Sequence, residues 1–182
     1  MKTQRHPRHL HLLGMLISVS VFASFAYADA PLSQDDPSQA SSMDCMGSDG
    51  AIPIDNQAVL SLKTSTPNQY LARAHVSGTI GQVYADEHGH NHFELLLGPG
   101  PTDTIEIVYN ISFGELPGLQ SGMSAEACGD FINSDAATSQ YPESPDNAIM
   151  HWVHRNPKGR GHASGFVVID GQLYGQGDGR GD

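Results

Sequence analysis

A chain of 182 residues has room for one domain with its own core, and this one is acidic, with 20 Asp and Glu against 9 Lys and Arg and a formal charge of −11. A field of that sign repels nucleic acid and anionic membrane surfaces, which excludes a long nucleic acid as partner. Beyond the first 28 residues no stretch approaches the roughly 18 apolar residues that a spanning helix needs, so no membrane anchor is expected.

The first element reads as a secretory signal over residues 1–28. It has a basic start at Lys2, Arg5 and Arg8, an apolar stretch from Leu10 to Phe25, and then Ala26-Tyr27-Ala28, the small residues that a signal peptidase requires. Cleavage is expected near Ala28, which predicts a periplasmic or secreted protein. The three basic residues leave with the signal and no acid does, so the charge deepens to −14. Cys45 lies far from that cleavage point in a sequence unlike a lipoprotein signal, so no lipid anchor is expected either. Residues 29–54 are Ser, Gln, Asp and Pro with few large apolar side chains and read as a flexible leader. Residues 175–182 alternate Gly with Gln, Asp and Arg and read as a fraying tail. Two cysteines in an exported chain predict one disulfide, Cys45 to Cys128, the alternative being two unpaired thiols.

Between leader and tail, over residues 55–174, the dominant period is two. A short helix is predicted from Asn56 to Leu62. Val76 and Ile80 then flank Gly78 in a first strand, Phe93, Leu95 and Leu97 mark a second, and Ile105, Ile107, Tyr109 and Ile111 mark a third. A helical turn is predicted from Phe113 to Leu119. The fourth strand turns Ala125, Ala127, Gly129 and Phe131 inward and Cys128 outward, toward the leader. A fifth strand runs from Ala148 to His154, and Phe166 to Tyr174 is a hairpin around Asp170-Gly171, the pair a type I′ turn favours. Short strands at this spacing, with one or two short helices, predict a mainly β fold: a small OB-like Greek-key barrel.

Seven histidines follow the signal, and six of them fall in two clusters. His88, His90 and His92 form a candidate metal site, since neutral imidazole suits a divalent metal such as zinc; Gly89 and Asn91 also fit a polar hairpin tip that happens to be histidine-rich. The second cluster, His154, Arg155, Lys158, Arg160 and His162, combines cations with a glycine-loosened loop whose amides can face an anion, the alternative being a solvated basic loop. Strand phase places His151 with Ile149 and Val153 as a core histidine, while His154 shares the other face with Met150 and Trp152, and Trp152 reads as core packing. No Gly-x-Ser-x-Gly elbow supports serine hydrolysis. Two functions remain. One is noncatalytic binding of a small anion, a metal or a partner protein. The other is a metal-assisted phosphoesterase or nuclease, with His154 and His162 holding a cation or acting as base and Arg155 or Arg160 stabilising phosphoryl charge.

From Val76 to Tyr174 the chain resembles a family of small exported bacterial proteins known as a domain of unknown function. The matching residues include Gly78, Gly81, Val83, His92-Phe93, Asn110-Ile111, Gly122 and Gly129, and above all the block His151-Trp152-Val153-His154-Arg155 with Pro157, Gly159, Arg160, His162 and Gly165. Members usually carry His-Asn-Ile-Asp where this chain has Tyr109-Asn110-Ile111-Ser112. The resemblance implies the fold and export, and no reaction. The run Tyr109, Leu116, Pro117, Leu119, Gly122 and Gly129 is also similar in pattern to the periplasmic haem chaperones of cytochrome c maturation, which are OB barrels, but their haem-attaching histidine motif is absent from this sequence.

Overall fold

The structure, a computed structural model, describes residues 43–180; the predicted signal and its cleavage point near Ala28 lie outside the described residues. Two short strands, β1 (Met46–Gly47) and β2 (Gly50–Ala51), precede helix α1 (Asn56–Ser65). Seven strands follow: β3 (Leu71–Val83), β4 (His90–Leu96), β5 (Thr104–Asn110), β6 (Ser124–Asn133), β7 (Ala148–His151), β8 (Phe166–Ile169) and β9 (Gln172–Tyr174). Strands β3 to β7 close into a five-stranded barrel in the order β3-β4-β5-β7-β6, with β6 returning to β3. β5 and β7 run parallel and the other neighbours antiparallel. The fold is therefore mainly β, an OB-like barrel extended by the β8–β9 hairpin, whose turn residues Asp170 and Gly171 both have positive φ.

The period-two residues fill the interior. Val76, Ile80, Phe93, Leu95, Ile105, Ile107, Tyr109, Phe131 and Met150 are all fully buried. β3 pairs with β6 over its first part and with β4 over its last, so it must bend between them. Gly78 stands at that bend, where a Cβ would run into the Leu96 backbone.

Helix α1 covers the end of the barrel where β4 stops and β5 starts. Asp55 caps it by accepting the Ala58 N–H at 2.9 Å. Its face carries Val59, Leu60 and Leu62 onto the core. The Asn56 side-chain amide donates to the carbonyls of Ser77 at 2.7 Å and Leu97 at 3.0 Å, and Lys63 Nζ donates to the Thr104 carbonyl at 2.7 Å. At the opposite end the helical turn expected over Phe113–Leu119 is absent. A 3-10 turn occupies Ile111–Phe113 instead, and the chain continues without helix, because Gly114 takes φ 119° and Pro117 cannot extend a helix. Leu116 and Leu119 still pack against the core.

Cys45 and Cys128 form a disulfide. It pins residues 45–52 over β6 and β8, where Cys45, Cys128 and Phe166 form a second small core ringed by Ile52, Val168 and Leu173. Arg73 strengthens the seam. Its guanidinium donates to the Met46 carbonyl and to Asp130 Oδ1, each at 3.0 Å, and to the Ser164 carbonyl. The end of the segment that reads as a flexible leader is thus held by partners more than twenty residues away. The glycine-rich tail is tied in the same way: Arg155 N–H donates to the Gly175 carbonyl at 2.7 Å and Gly177 N–H to the Phe113 carbonyl at 3.0 Å. Among the described residues no helix is long and apolar enough to cross a membrane.

His75 belongs to this seam. Its Nδ1 lies 2.9 Å from the Ile52 carbonyl and its Nε2 2.8 Å from Glu126 Oε1, so both ring nitrogens are committed. Burial pulls its pKa down, but the hydrogen bonds to Glu126 and Ile52 outweigh burial and leave it raised.

Thiol labelling of the unfolded, unreduced protein should find no free sulfhydryl, and replacing both cysteines by serine should cost on the order of 4 kcal/mol in denaturant melts. A histidine whose folded pKa exceeds its unfolded value of about 6.5 contributes stability below that pH and loses it as the pH rises through the folded pKa. Glu126→Gln should therefore lower Tm more at about pH 5.5 than at about pH 8; an equal loss at both would show that the ion pair carries no pH-dependent stability.

Candidate functional site

The barrel end away from α1 gathers five imidazoles from three segments. β4 enters there at His90, and its alternation puts His90 and His92 on the outer face, with ring centroids 6.3 Å apart. β7, parallel to β5, leaves at the same end with His151, whose ring centroid is 5.9 Å from that of His90. The two histidine clusters of the sequence are therefore one cluster in space. His88 stays outside it, exposed on the turn with φ 50°, and contributes only its carbonyl to His90 Nδ1 at 3.1 Å.

The strand expected to reach His154 ends at His151. Trp152 takes φ 51°, a left-handed conformation that costs a bulky residue about 1–3 kcal/mol. Three constraints hold it there. Val153 is fully buried, Gly165 N–H donates to the His154 carbonyl at 2.7 Å, and a Cβ at Gly165 would meet the carbonyls of Cys128 and Trp152. The reversal changes the side-chain phase. His151 is not a core histidine but lies half-buried on the outer face, and His151 and His154 both belong to the cluster. Trp152 is likewise only half-buried, with its ring stacked between His151 at 4.9 Å and His162 at 5.4 Å. His162 meets His154 edge-on at 5.2 Å, and His154 stacks on Phe113 at 3.7 Å. The result is a continuous series of rings: Phe113, His154, His162, Trp152, His151, His90, His92.

The loop from Arg155 to Gly165 is organised by Asn156. Its amide donates to the carbonyls of Arg160 at 3.0 Å and His162 at 2.5 Å, while its Oδ1 accepts the N–H groups of Lys158 and Gly159, each at 3.1 Å. Lys158 and Arg160 point to solvent and Arg155 is half-buried. None of the three has a side-chain hydrogen bond or ion pair among the described residues. The structure thus brings His154 and His162 together without drawing the cations of the same block onto them.

Most of these rings are tied by Nδ1. His154 donates to the Arg155 carbonyl and His162 to the Ala163 carbonyl, both at 2.8 Å, and His90 to the His88 carbonyl. A carbonyl only accepts, which assigns the proton to Nδ1 and leaves the lone pair on Nε2 in the neutral ring. His92 Nδ1 lies 2.6 Å from Glu106 Oε1, and Glu106 Oε2 in turn accepts from Ser144 Oγ at 2.6 Å. Burial pushes the His151 imidazole down to about 4, with the nearby His90, His154 and His162 rings adding to the effect. Burial also lowers His90 and His154, while the hydrogen bond to Glu106 raises His92 against burial. Burial thus favours the uncharged form of the His90, His151 and His154 rings. Among the described residues no three His, Cys, Asp or Glu side chains already stand in metal-binding geometry.

Sequence reasoning missed Glu106, Asn156, Phe113 and Ser144. Asn156-Pro157 followed by Gly159 is a turn signal that could have been found. The role of Glu106 could not, since a lone acid at an outward strand position looks solvated until a loop covers it. No family model matches the chain, and no curated protein is found to be similar to it.

Trp152 reports on this loop. Asn156→Ala removes the loop's hub, so Trp152 emission should shift to the red and the Lys158 and Gly159 amides should exchange faster. The stability loss should stay within about 1–3 kcal/mol, the range of a few net hydrogen bonds. An unchanged emission spectrum with unchanged exchange would show that Asn156 does not hold the loop.

Proposed function

We propose that this is a noncatalytic binding module, working outside the cytoplasm, that takes one divalent transition metal ion such as Zn²⁺ on imidazoles drawn from the cluster of His90, His92, His151, His154 and His162. The observation that carries this reading is the way the rings are prepared: four are tethered through Nδ1, and their Nε2 atoms have no hydrogen-bond partner among the described residues. Metal-bound histidines are fixed by outer hydrogen bonds in the same manner. Two imidazoles on one tetrahedral ion have centroids about 5 Å apart, a separation His154 and His162 already have at 5.2 Å. His90 and His151, at 5.9 Å, close the difference by modest rotation of half-buried side chains.

A metal is favoured over an anion because burial keeps His90, His151 and His154 neutral, which suits a Lewis acid and supplies no charge to a phosphate. The acidic chain also draws cations toward its surface. The disulfide suits an oxidising compartment, which supports export with cleavage near Ala28. The intact mass of the exported protein should correspond to a chain beginning at Asp29.

Calorimetric titration of the tag-free protein with ZnCl₂ should give one ion per chain. His92→Ala and His154→Ala should each weaken binding by at least about tenfold, and His88→Ala should not. Absence of Zn²⁺ binding by the wild type would overturn the reading. So would phosphate binding that depends on Arg160, which would return the block to an anion site.

A further inference from the structure

The protein contains two histidine–glutamate pairs, and they are built differently. His75 spends both nitrogens within the fold, on Ile52 and on Glu126. His92 spends only Nδ1, on Glu106, and its Nε2 has no hydrogen-bond partner among the described residues. Among the tethered rings of the cluster His92 alone leans on a carboxylate, where His90, His154 and His162 lean on neutral backbone carbonyls. That carboxylate is itself fixed. Glu106 lies on β5, opposite Glu94 of β4, and is 7% exposed because the loop before β7 folds over it. From that loop Ser144 Oγ donates to Glu106 Oε2 at 2.6 Å, and the same Oγ accepts the Asp146 N–H at 3.1 Å. Tyr84, which follows β3, donates its hydroxyl to Asp146 at 2.9 Å and so ties the loop to the barrel.

We infer that Glu106, held by Ser144, is a positioning residue that makes His92 the anchoring ligand of the metal site. The inference rests on the metal-binding reading above. A carboxylate accepting from Nδ1 fixes the ring in the tautomer with its lone pair on Nε2, sets its plane, and makes Nε2 a stronger donor than a ring leaning on a neutral carbonyl. Glu106 never touches the ion. The imidazole donor set suits Zn²⁺, Ni²⁺ or Cu²⁺ and leaves Ca²⁺ and Mg²⁺, which want oxygen, without a site.

The experiment titrates ZnCl₂ into wild type, Glu106→Gln, Ser144→Ala and Glu126→Gln, and reads the ¹⁵N shifts of the His92 ring in the metal-free proteins. Glu106→Gln is expected to weaken Zn²⁺ binding about 10- to 100-fold and to shift the His92 ring nitrogens, with a smaller loss in Ser144→Ala and none in Glu126→Gln. CaCl₂ should give no heat with any of them. If wild type binds Zn²⁺ and Glu106→Gln binds it equally well, or if the His92 ring is unchanged in that variant, the positioning role is overturned while the metal site stands. If wild type fails to bind, the metal reading itself falls, and this inference with it. A loss of fold in Glu106→Gln would appear in its thermal melt, and Ser144→Ala then decides: wild-type affinity there overturns the relay.

Discussion

Both edges of β6 are committed, and most of the molecule leans on its register. Along one edge nine consecutive residue pairs, from Leu71 with Ile132 to Thr79 with Ser124, close the barrel. The other edge is divided, β7 taking Asp130 to Asn133 and β8 taking Ala125 to Cys128. A slip of one residue would turn Ala125, Ala127 and Phe131 out of the core and Cys128 into it, away from Cys45. Gly129 stands at the junction between the two partners. There a Cβ would meet the His151 carbonyl and the Val153 side chain, so the absence of one lets the chain leave β7 and reverse at Trp152. Disulfide, second core and histidine cluster all depend on the same ten-residue strand.

The cluster is a product of topology more than of local sequence. His92 and His151 are far apart along the chain, yet the parallel pairing of β5 with β7 brings the start of β4 and the end of β7 to one end of the barrel. Once gathered, the rings shield one another from water and lower one another's basicity, most of all at His151. The cost of ordering so many imidazoles is met by backbone carbonyls and by stacking on Phe113 and Trp152, and no ring is anchored by burial alone.

What separates a structural histidine from an available one here is the number of nitrogens the fold consumes. His75 shows the first case: it is wedged against Phe166 with a partner on each nitrogen, and it is part of the seam that holds the leader. The rings of the cluster show the second, each tethered once or not at all. Partial commitment fixes where a ring stands and leaves its second nitrogen without a partner in the fold.

Much of the barrel was legible beforehand. Alternation is a backbone property, so the interior residues of β3 to β6, the Asp170-Gly171 turn and the start of α1 at Asn56 could be read along the chain, and two cysteines leave only one pairing. The extent of β7 could not be read, because the reversal at Trp152 is imposed by Gly129, Gly165 and buried Val153 and not by any signal near Trp152 itself. For the same reason His151 looked like core. The union of the two histidine groups and the role of Glu106 under Ser144 were also beyond the sequence. Each depends on which strands become neighbours and which loop folds over them, and such contacts between distant segments leave no period in the chain. The sequence by itself determined the residue types and their faces; the tertiary structure decided which faces meet.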